Sequence, residues 1–157
     1  MATWWREASD LPAVEAAYGP LVDGPDRTEG FIAVRDGQPL AFLQRYRLDD
    51  NPEWQQAIAV APGLGDVIGI GIDYLIGDEA MTGHGLGRQM IAAFVNLSWA
   101  RYPDITAVVV AVDQDNGASW RALEGAGFLR TWAGVVNSGD LSDRDPAYLY
   151  VKRRPAR

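Results

Sequence analysis

The 157-residue sequence contains no cysteine and a single histidine, His84. Without cysteine the chain has no disulfide bond, no thiol nucleophile and no thiolate zinc site, and one histidine excludes a histidine-rich centre, so we expect no metal ion. No run of about 18 apolar residues is present, which excludes a membrane-spanning helix. The N-terminal residues MATWWREASD lack the basic and apolar regions of a secretory signal. The length is near the usual size of one domain, so we predict a single cytoplasmic domain over residues 1–157.

Basic residues are scarce. The chain has 14 lysines and arginines against 21 aspartates and glutamates, which gives a net charge of −7. Four of the bases crowd at the C-terminus, so residues 1–151 keep 10 bases against 21 acids, or −11. A body this acidic repels nucleic acid and anionic membranes, and it attracts a cationic partner. Solubility alone is the alternative explanation of the charge. The crowded bases are Lys152, Arg153, Arg154 and Arg157.

The hydrophobic pattern predicts strands that alternate with helices. The apolar segment Asp66–Gly77 predicts a buried central strand, and Thr82–Tyr102 predicts the main helix because its apolar residues recur at helical spacing. A second buried strand, Ala107–Val112, precedes a helix that Asn116 caps and Gly127 stops. A strand, a helix and a second strand in this order predict a parallel crossover.

The remaining segments complete the order of elements. A helix over Asp10–Tyr18 should stop at Gly19-Pro20, and the prolines of Asp49–Leu64 predict an irregular surface arm. The pair Asp36-Gly37 readily adopts the positive φ of a tight hairpin turn. The fold class predicted is α/β (α+β) with a mixed sheet. The other strands expected are Phe31–Arg35, Leu40–Leu48, Leu129–Val136 and Ala147–Arg153.

A glycine-rich loop, TGHGLGR at residues 82–88, lies between the central strand and the main helix. Backbone amides converge at such a helix start and the helix dipole favours an anion, so phosphate is the natural ligand. The loop is not a P-loop, because no GKS or GKT ends it, and it is not a dinucleotide motif, because the third glycine of GxGxxG falls on Arg88. A glycine-rich turn without a ligand is the alternative.

Three segments together resemble the central motifs of the GNAT acyltransferase superfamily: IGIDYLIG, TGHGLGRQMI and AVDQDNGASWRALEGAGF. Within that superfamily the sequence is similar to aminoglycoside 6′-N-acetyltransferases, through Gly71-Ile72-Asp73, Gly85-Leu86-Gly87 and the upstream Asp36-Gly37-Gln38-Pro39. The resemblance implies a GNAT fold, in which helices flank a mixed, mostly antiparallel sheet with a splayed central parallel pair. Because the similarity to the aminoglycoside group starts near the second helix of that group, the usual first strand and first helix are absent or shortened in one interpretation. In the other, Thr3–Ala8 is the first strand and Asp10–Tyr18 is the first helix. It also implies acetyl-CoA as co-substrate.

The resemblance assigns the cofactor-binding residues. The amides of Gly83, Gly85, Gly87 and Arg88 would hold the pyrophosphate of acetyl-CoA, in a loop that also contains Thr82, His84 and Leu86. Thr82 departs from the superfamily's usual first residue, so the loop would bind through its backbone. The backbone of the central strand would pair with the pantetheine arm, and the second helix would reach the same arm. The residues implied there are Tyr74, Leu75, Ile76 and Asn116.

One departure concerns the proton donor for the leaving thiolate. The tyrosine that related enzymes often carry four residues before the glycine of the Gly-Phe pair is Leu123 here. Tyr74, Tyr148 or Tyr150 could replace it, and the spacing does not choose among them.

Asp73 is the candidate catalytic acid–base residue. An alkylamine with a pKa near ~10.4 is protonated at neutral pH, so acyl transfer needs a group that accepts its proton directly or through water. Asp73 lies in an otherwise apolar strand, where a lone carboxylate needs a partner or a task. Aminoglycoside-type enzymes carry an aspartate here. The alternative is an outward-facing aspartate on a solvated edge. We expect a strand amide near Leu75 to stabilise the oxyanion.

Several further residues are candidates for binding the acceptor. Trp54 lies in an acidic arm with Asp50 and Glu53, and an aromatic face flanked by carboxylates suits a sugar ring that carries ammonium groups. Asp113 ends the second central strand, across the expected splay from Asp73. The alternatives are a core anchor for Trp54 and a helix cap for Asp113. Related enzymes also carry a pair like Trp4-Trp5, and Asp140, Asp143 and Asp145 are further acids on the expected acceptor side.

These residues predict an acetyl-CoA-dependent N-acetyltransferase whose acceptor is a primary amine of a polycationic small molecule, the 6′-amine of an aminoglycoside antibiotic, which would confer resistance. The alternatives are a GNAT enzyme for a siderophore precursor, a polyamine or a protein N-terminus, and a non-catalytic acyl-CoA-binding module. We expect no nucleic-acid or membrane partner, and either a monomer or a homodimer.

Overall fold

The structure is a computed structural model that describes residues 10–24, 26–77, 81, 83–139 and 145–156. No helix in these ranges is long and apolar enough to cross a membrane. The helices are α1 Leu11–Asp23, α2 Pro52–Ile58, α3 Leu86–Arg101 and α4 Gly117–Gly125. The strands are β1 Glu29–Arg35, β2 Gln38–Arg47, β3 Gly69–Ile76, β4 Ala107–Asp113, β5 Leu129–Gly134 and β6 Ala147–Arg153.

The strands form one six-stranded sheet in the order β1-β2-β3-β4-β6-β5. Every neighbouring pair is antiparallel except β3 and β4, which are parallel. Helix α3 forms the crossover between these two parallel strands, as the order strand, helix, strand requires. The predicted mixed α/β sheet is therefore confirmed.

The two parallel strands separate after a short contact. Their ladder runs only from Gly69–Ala107 to Gly71–Val109. Beyond it, β3 stays paired with β2 as far as Ile76, and β4 stays paired with β6 as far as Asp113. This is the predicted splayed pair, and it leaves an opening in the middle of the sheet.

Hydrophobic clusters cover both faces of the sheet. Helices α3 and α4 pack on one face, around Ile91, Phe94 and Leu123. Helix α2 and the segment after it pack on the other face, around Ile58 and Leu64. Because side chains alternate along a strand, β4 contributes Val108 and Val110 to the first cluster and Ala107 and Val109 to the second.

Several predicted turns and ends are confirmed. Asp36 and Gly37 have φ values of 50° and 76°, which fits the two-residue turn between β1 and β2. Asn116 caps α4 because its Oδ1 accepts the amide of Ser119 at 3.2 Å. Gly127, with φ 84°, lies just after the end of α4.

Two predictions about prolines are wrong. Helix α1 does not stop at Gly19-Pro20 but continues to Asp23, and the amide of Gly24 closes it on the carbonyl of Pro20. Proline removes its own amide donor and crowds the carbonyl four residues earlier, yet α1, which has no buried residue among those described, continues through Pro20. The arm Asp49–Leu64 is not irregular throughout, since it contains α2. Pro52 begins that helix, at a position whose amide would have no partner in the helix.

The main helix also begins later than expected, at Leu86. Thr82 lies outside the described residues, as does Trp4-Trp5.

Candidate active site

The opening between β3 and β4 leads into a cavity of about 590 Å³. Its walls come from β2, β3, β4, α2 and the start of α4. The structure brings five of the residues predicted to bind the acceptor to this one cavity, together with Tyr74 and Asn116 from the predicted cofactor set. The acceptor candidates are Asp50, Glu53, Trp54, Asp73 and Asp113.

Asp73 is half-buried in the cavity wall and has a partner on the neighbouring strand. Gln44 of β2 lies directly opposite Asp73 in the ladder, and its Nε2 donates a hydrogen bond to Asp73 Oδ2 at 2.9 Å. The amide therefore fixes one carboxylate oxygen and orients the group. The lone acid in an apolar strand is thus part of the cavity and not an outward-facing residue on a solvated edge.

A glycine makes room beside Asp73. The ring of Tyr46 from β2 lies over Gly71 so closely that a Cβ atom there would overlap its ring atoms. Tyr46 consequently lies against β3 and forms part of the cavity wall.

The hydrogen-bond register decides which amides of β3 face the opening. Leu48 donates to the carbonyl of Gly69 and Gly77 donates to the carbonyl of Leu40, both at 3.0 Å, and the ladder between them has no shift. Because bonded and non-bonded pairs alternate in an antiparallel ladder, Leu75 also exchanges its backbone bonds with β2. The backbone groups of Tyr74 and Ile76 face the opening instead. The strand amides near Leu75 that face the opening are therefore those of its two neighbours.

Tyr74 is the predicted replacement donor that lies in the cavity wall. Its hydroxyl is 2.7 Å from the Oγ of Ser119 in the first turn of α4, and both residues line the cavity. Burial raises the pKa of Tyr74 well above its ordinary value, so the phenol is neutral at neutral pH. Leu123, at the position of the missing tyrosine, is fully buried in the core.

The other two candidate tyrosines have structural partners outside the cavity. The hydroxyl of Tyr150 donates to Glu124 at 2.7 Å and accepts from Arg130 at 2.9 Å. The guanidinium of Arg130 lies over the ring of Tyr148, 3.8 Å from its centroid. Both tyrosines thus stabilise the end of the sheet near α4.

The glycine loop ends directly in helix α3. Gly83 and Gly85 have φ values of 78° and 76°, a conformation that glycine adopts without strain. Gly85 is the N-cap of α3, and among the described residues no side chain caps this helix. The first amides of α3 are therefore available to an anion. His84 and Arg88 are exposed beside them, while Leu86 is buried and Gly87 half-buried.

The described lining residues include four acids and no base. The charge of Asp50 is partly compensated, because Arg27 donates to its Oδ1 at 2.5 Å from outside the cavity. Asp113 accepts the amide of Asp115 at 2.8 Å, which orders the turn before α4. Both interpretations of Asp113 therefore have structural support, since it lines the cavity and shapes a helix start.

Trp54 likewise has two roles. Its ring packs against the core cluster around Ile58 and also lines the cavity. Its indole Nε1 is buried and has no acceptor among the described residues. Asp140 and Asp143 lie outside the described residues, and Asp145 does not line the cavity.

Comparison with known proteins decides the family. Residues 1–133 match the acetyltransferase (GNAT) domain family. The chain belongs to the GNAT acetyltransferases. Membership makes it an N-acetyltransferase with acetyl-CoA as co-substrate, the chemistry for which the splayed sheet and the glycine loop are suited.

Relatives of this GNAT chain include the type 1 aminoglycoside N(6′)-acetyltransferases of Klebsiella pneumoniae and Serratia marcescens. Each is 29% identical to it, in alignments that cover 98% of this chain and 72% of the relative. Among solved structures, aminoglycoside acetyltransferase AAC(6′)-Ib in complex with coenzyme A has a TM-score of 0.72 and 26% identity, covering 98% of this chain and 82% of that one. Its complex with coenzyme A and kanamycin has a TM-score of 0.70 and 26% identity, covering 98% and 81%.

Sequence reasoning does not identify three residues of the GNAT site: Gln44, Tyr46 and Ser119. Gln44 is a polar residue between aromatic residues on β2, a pattern that indicates a buried polar side chain with a partner. Only the β2–β3 register shows that this partner is Asp73. Ser119 follows the capping Asn116 by one helical turn, so its direction could be predicted and its contact with Tyr74 could not.

The basic C-terminus of the GNAT domain has structural partners. Lys152 donates to the carbonyl of Ala126 at the end of α4 at 2.6 Å. Arg153 donates to the carbonyl of Gly63 at 3.0 Å. Arg154 donates to carbonyls at and beyond the end of α3, where a cation complements the helix dipole. Three of the four C-terminal bases therefore bind backbone carbonyls of the domain itself.

Proposed function

We propose that the chain acetylates a primary amine of a polycationic small molecule, the 6′-amine of an aminoglycoside, and thereby confers resistance. The observation that carries the proposal is the acidic cavity at the open edge of β3, which has four carboxylates and no base among its described lining residues. Ammonium groups of an amino sugar complement this wall. The relatives' aminoglycoside activity supports the same acceptor class.

The cofactor side of the site uses backbone groups. The amides at the start of α3, from Gly85 to Arg88, would bind the pyrophosphate without the help of lysine. The backbone groups of Tyr74 and Ile76 that face the opening would pair with the pantetheine arm. Asn116 lines the cavity beside this path. These donors fit the anionic, amide-bearing shape of acetyl-CoA.

The acceptor side supplies the proton acceptor. In a ternary complex the amine attacks the thioester carbonyl, and Asp73 or a water that it holds takes the proton. The developing oxyanion accepts a hydrogen bond from the amide of Tyr74 or Ile76. The carbon–sulfur bond then breaks and coenzyme A leaves. The chain has no cysteine, so we propose direct transfer without a covalent enzyme intermediate.

The acceptor contacts follow from the cavity wall. Asp50, Glu53 and Asp113 would bind ammonium groups, and the Trp54 ring would stack on a sugar. We place the reaction in the cytoplasm, where acetyl-CoA is available, and assign it to a single domain that acts as a monomer or a homodimer.

The test is turnover by Asp73→Asn, measured as thiol release from acetyl-CoA with kanamycin. We expect kcat/KM to fall about 10²–10⁴-fold, because the proton acceptor is lost while the shape is kept. Acetyl-CoA binding should be unchanged. Asp115→Asn is the matched control, since Asp115 is exposed and does not line the cavity.

Full turnover by Asp73→Asn would contradict the mechanism. An acceptor screen tests the substrate class separately. Thiol release with spermidine or a peptide N-terminus but with no aminoglycoside would reassign the acceptor, and coenzyme A binding without any thiol release would indicate a non-catalytic module.

A further inference from the structure

Breaking the thioester leaves an electron pair on the sulfur of coenzyme A. In a cavity screened from water this charge needs a hydrogen-bond donor that is in place before the reaction. The position of the usual tyrosine cannot supply one, because Leu123 is aliphatic and fully buried. The donor must therefore come from another element that reaches the opening.

A hydroxyl pair among the described lining residues, Tyr74 with Ser119, joins the two sides of the opening. Ser119 precedes Leu123 by four residues, so it lies on the same face of α4, one turn nearer the start of the helix. Tyr74 reaches it from β3. The pair thus lies on the helix face that a tyrosine at Leu123 would share, but nearer the cavity.

The sheet separates this pair from the proton acceptor. Asp73 and Tyr74 are adjacent on β3, so their side chains point to opposite faces. Asp73 faces the acidic side with Gln44, and Tyr74 packs on the cluster of α3 and α4. An amine that enters beside Asp73 therefore attacks from one face, and the sulfur leaves towards the other.

We propose that the Tyr74–Ser119 hydroxyl pair donates the hydrogen bond that stabilises the leaving thiolate. The proposal rests on the proposed function of the cavity. Two hydroxyls carry two hydrogens, and their mutual bond uses one, so the second can point at the sulfur. The carbon–nitrogen bond forms, the carbon–sulfur bond breaks, and the amine proton goes to Asp73 or its water. The hydroxyls keep their protons, and the released thiolate takes its proton from solvent.

The raised pKa of Tyr74 agrees with this role. Burial keeps the phenol protonated, so it acts as a fixed hydrogen-bond donor at any pH at which the enzyme works. The Tyr74 hydroxyl should therefore add no limb of its own to the pH–rate profile.

The experiment titrates the thiol of bound coenzyme A by its thiolate absorbance in the ultraviolet. In Tyr74→Phe and Ser119→Ala the thiol pKa of bound coenzyme A should rise by about one unit relative to the unmodified protein, because a hydrogen bond to the thiolate is lost. The kcat should fall about tenfold with little change in the KM for acetyl-CoA. Tyr148→Phe removes a hydroxyl outside the cavity and should leave both quantities unchanged.

Two outcomes would overturn the inference. If coenzyme A binds and both variants keep the thiol pKa of the unmodified protein, the pair does not contact the sulfur. If the thiol pKa shifts equally in Tyr148→Phe, the effect is not local to the pair. Failure of the unmodified protein to bind coenzyme A would instead contradict the proposed function itself.

Discussion

Gln44 and Asp73 lie opposite each other on neighbouring strands, and one hydrogen bond of 2.9 Å joins them. The donor holds one carboxylate oxygen of Asp73 and so orients the group in the cavity wall. Gln44 is therefore a positioning residue for the proposed proton acceptor, although it contacts no reacting atom in the mechanism.

In Gln44→Leu we expect kcat for thiol release to fall about tenfold with little change in the KM for acetyl-CoA, because the carboxylate of Asp73 loses the hydrogen bond that orients it. The measurement is steady-state thiol release at saturating acceptor. Gln44→Asn, which keeps an amide, should restore part of the activity. An unchanged kcat in Gln44→Leu would show that the hydrogen bond does not position Asp73.

Single residues differ in how far the sequence predicts them. Asp73 is predictable because a lone carboxylate in an apolar strand is costly to bury unless it has a partner or a function. The contact between Tyr74 and Ser119 is not, because it depends on how far β3 and β4 separate, which no local pattern encodes. Which amides near Leu75 face the opening is not predictable for the same reason, since register fixes the direction of each amide.

The hairpin and helix α3 are joined by a buried ion pair. Arg45 of β2 is only 3% exposed, and its Nε donates to Glu29 of β1 at 2.6 Å. It also donates to Ser98 of α3 at 3.2 Å, and Tyr102 donates to Glu29 at 2.6 Å. Burial by itself would raise the pKa of Glu29, but the hydrogen bonds from Arg45 and Tyr102 outweigh it and lower the pKa. The network anchors the hairpin against the helix.

We expect Glu29→Gln to lower the free energy of unfolding at neutral pH by about 1.5–3 kcal/mol, the usual contribution of a hydrogen bond to a charged group. Because the folded-state pKa of Glu29 is lowered, its contribution is present above the ordinary carboxyl value and is lost as pH falls through the folded value. The difference between the variant and the unmodified protein should therefore shrink in acid. Urea unfolding at a series of pH values measures it.

Glu15→Gln provides the control for this series, because Glu15 is exposed on α1. If the difference in the free energy of unfolding between Glu29→Gln and the unmodified protein stays constant as the pH falls, Glu29 does not stabilise the fold through its charge.

At the level of elements, long periodic segments are predictable and proline-containing ones are not. The central strand and main helix follow from periodicity, and the end of α4 follows from Gly127. The breaks predicted at Pro20 and Pro52 are wrong because a proline does not end a helix at every position. Pro52 begins a helix, and Pro20 lies on an exposed helix that tolerates it.

The charge of the whole molecule is segregated. The acids Asp50, Glu53, Asp73 and Asp113 line the cavity, whereas three C-terminal bases bind backbone carbonyls elsewhere. The acidic residues thus add to the net charge of the protein and also concentrate negative charge on the acceptor side of the cavity.

We expect kcat/KM for a polycationic acceptor to fall about tenfold as salt is raised from low to high concentration, because screening weakens long-range attraction. A monoamine acceptor should be much less affected. Thiol release at several salt concentrations measures both. Glu53→Gln should weaken the dependence of kcat/KM on salt, whereas Glu15→Gln should leave it unchanged. If kcat/KM depends equally on salt in both variants, the acidic charge serves solubility alone.

The position of β6 sets the order in which the site can be assembled during synthesis. This strand is the last of the sheet in sequence, yet it lies between β4 and β5. Until the ribosome has released it, β5 has no partner strand and the ends of α3 and α4 lack their basic partners. Ala147 of β6 pairs with Asp113, and both form the cavity wall. The acceptor site is therefore completed only after β6 has been translated and has left the ribosome.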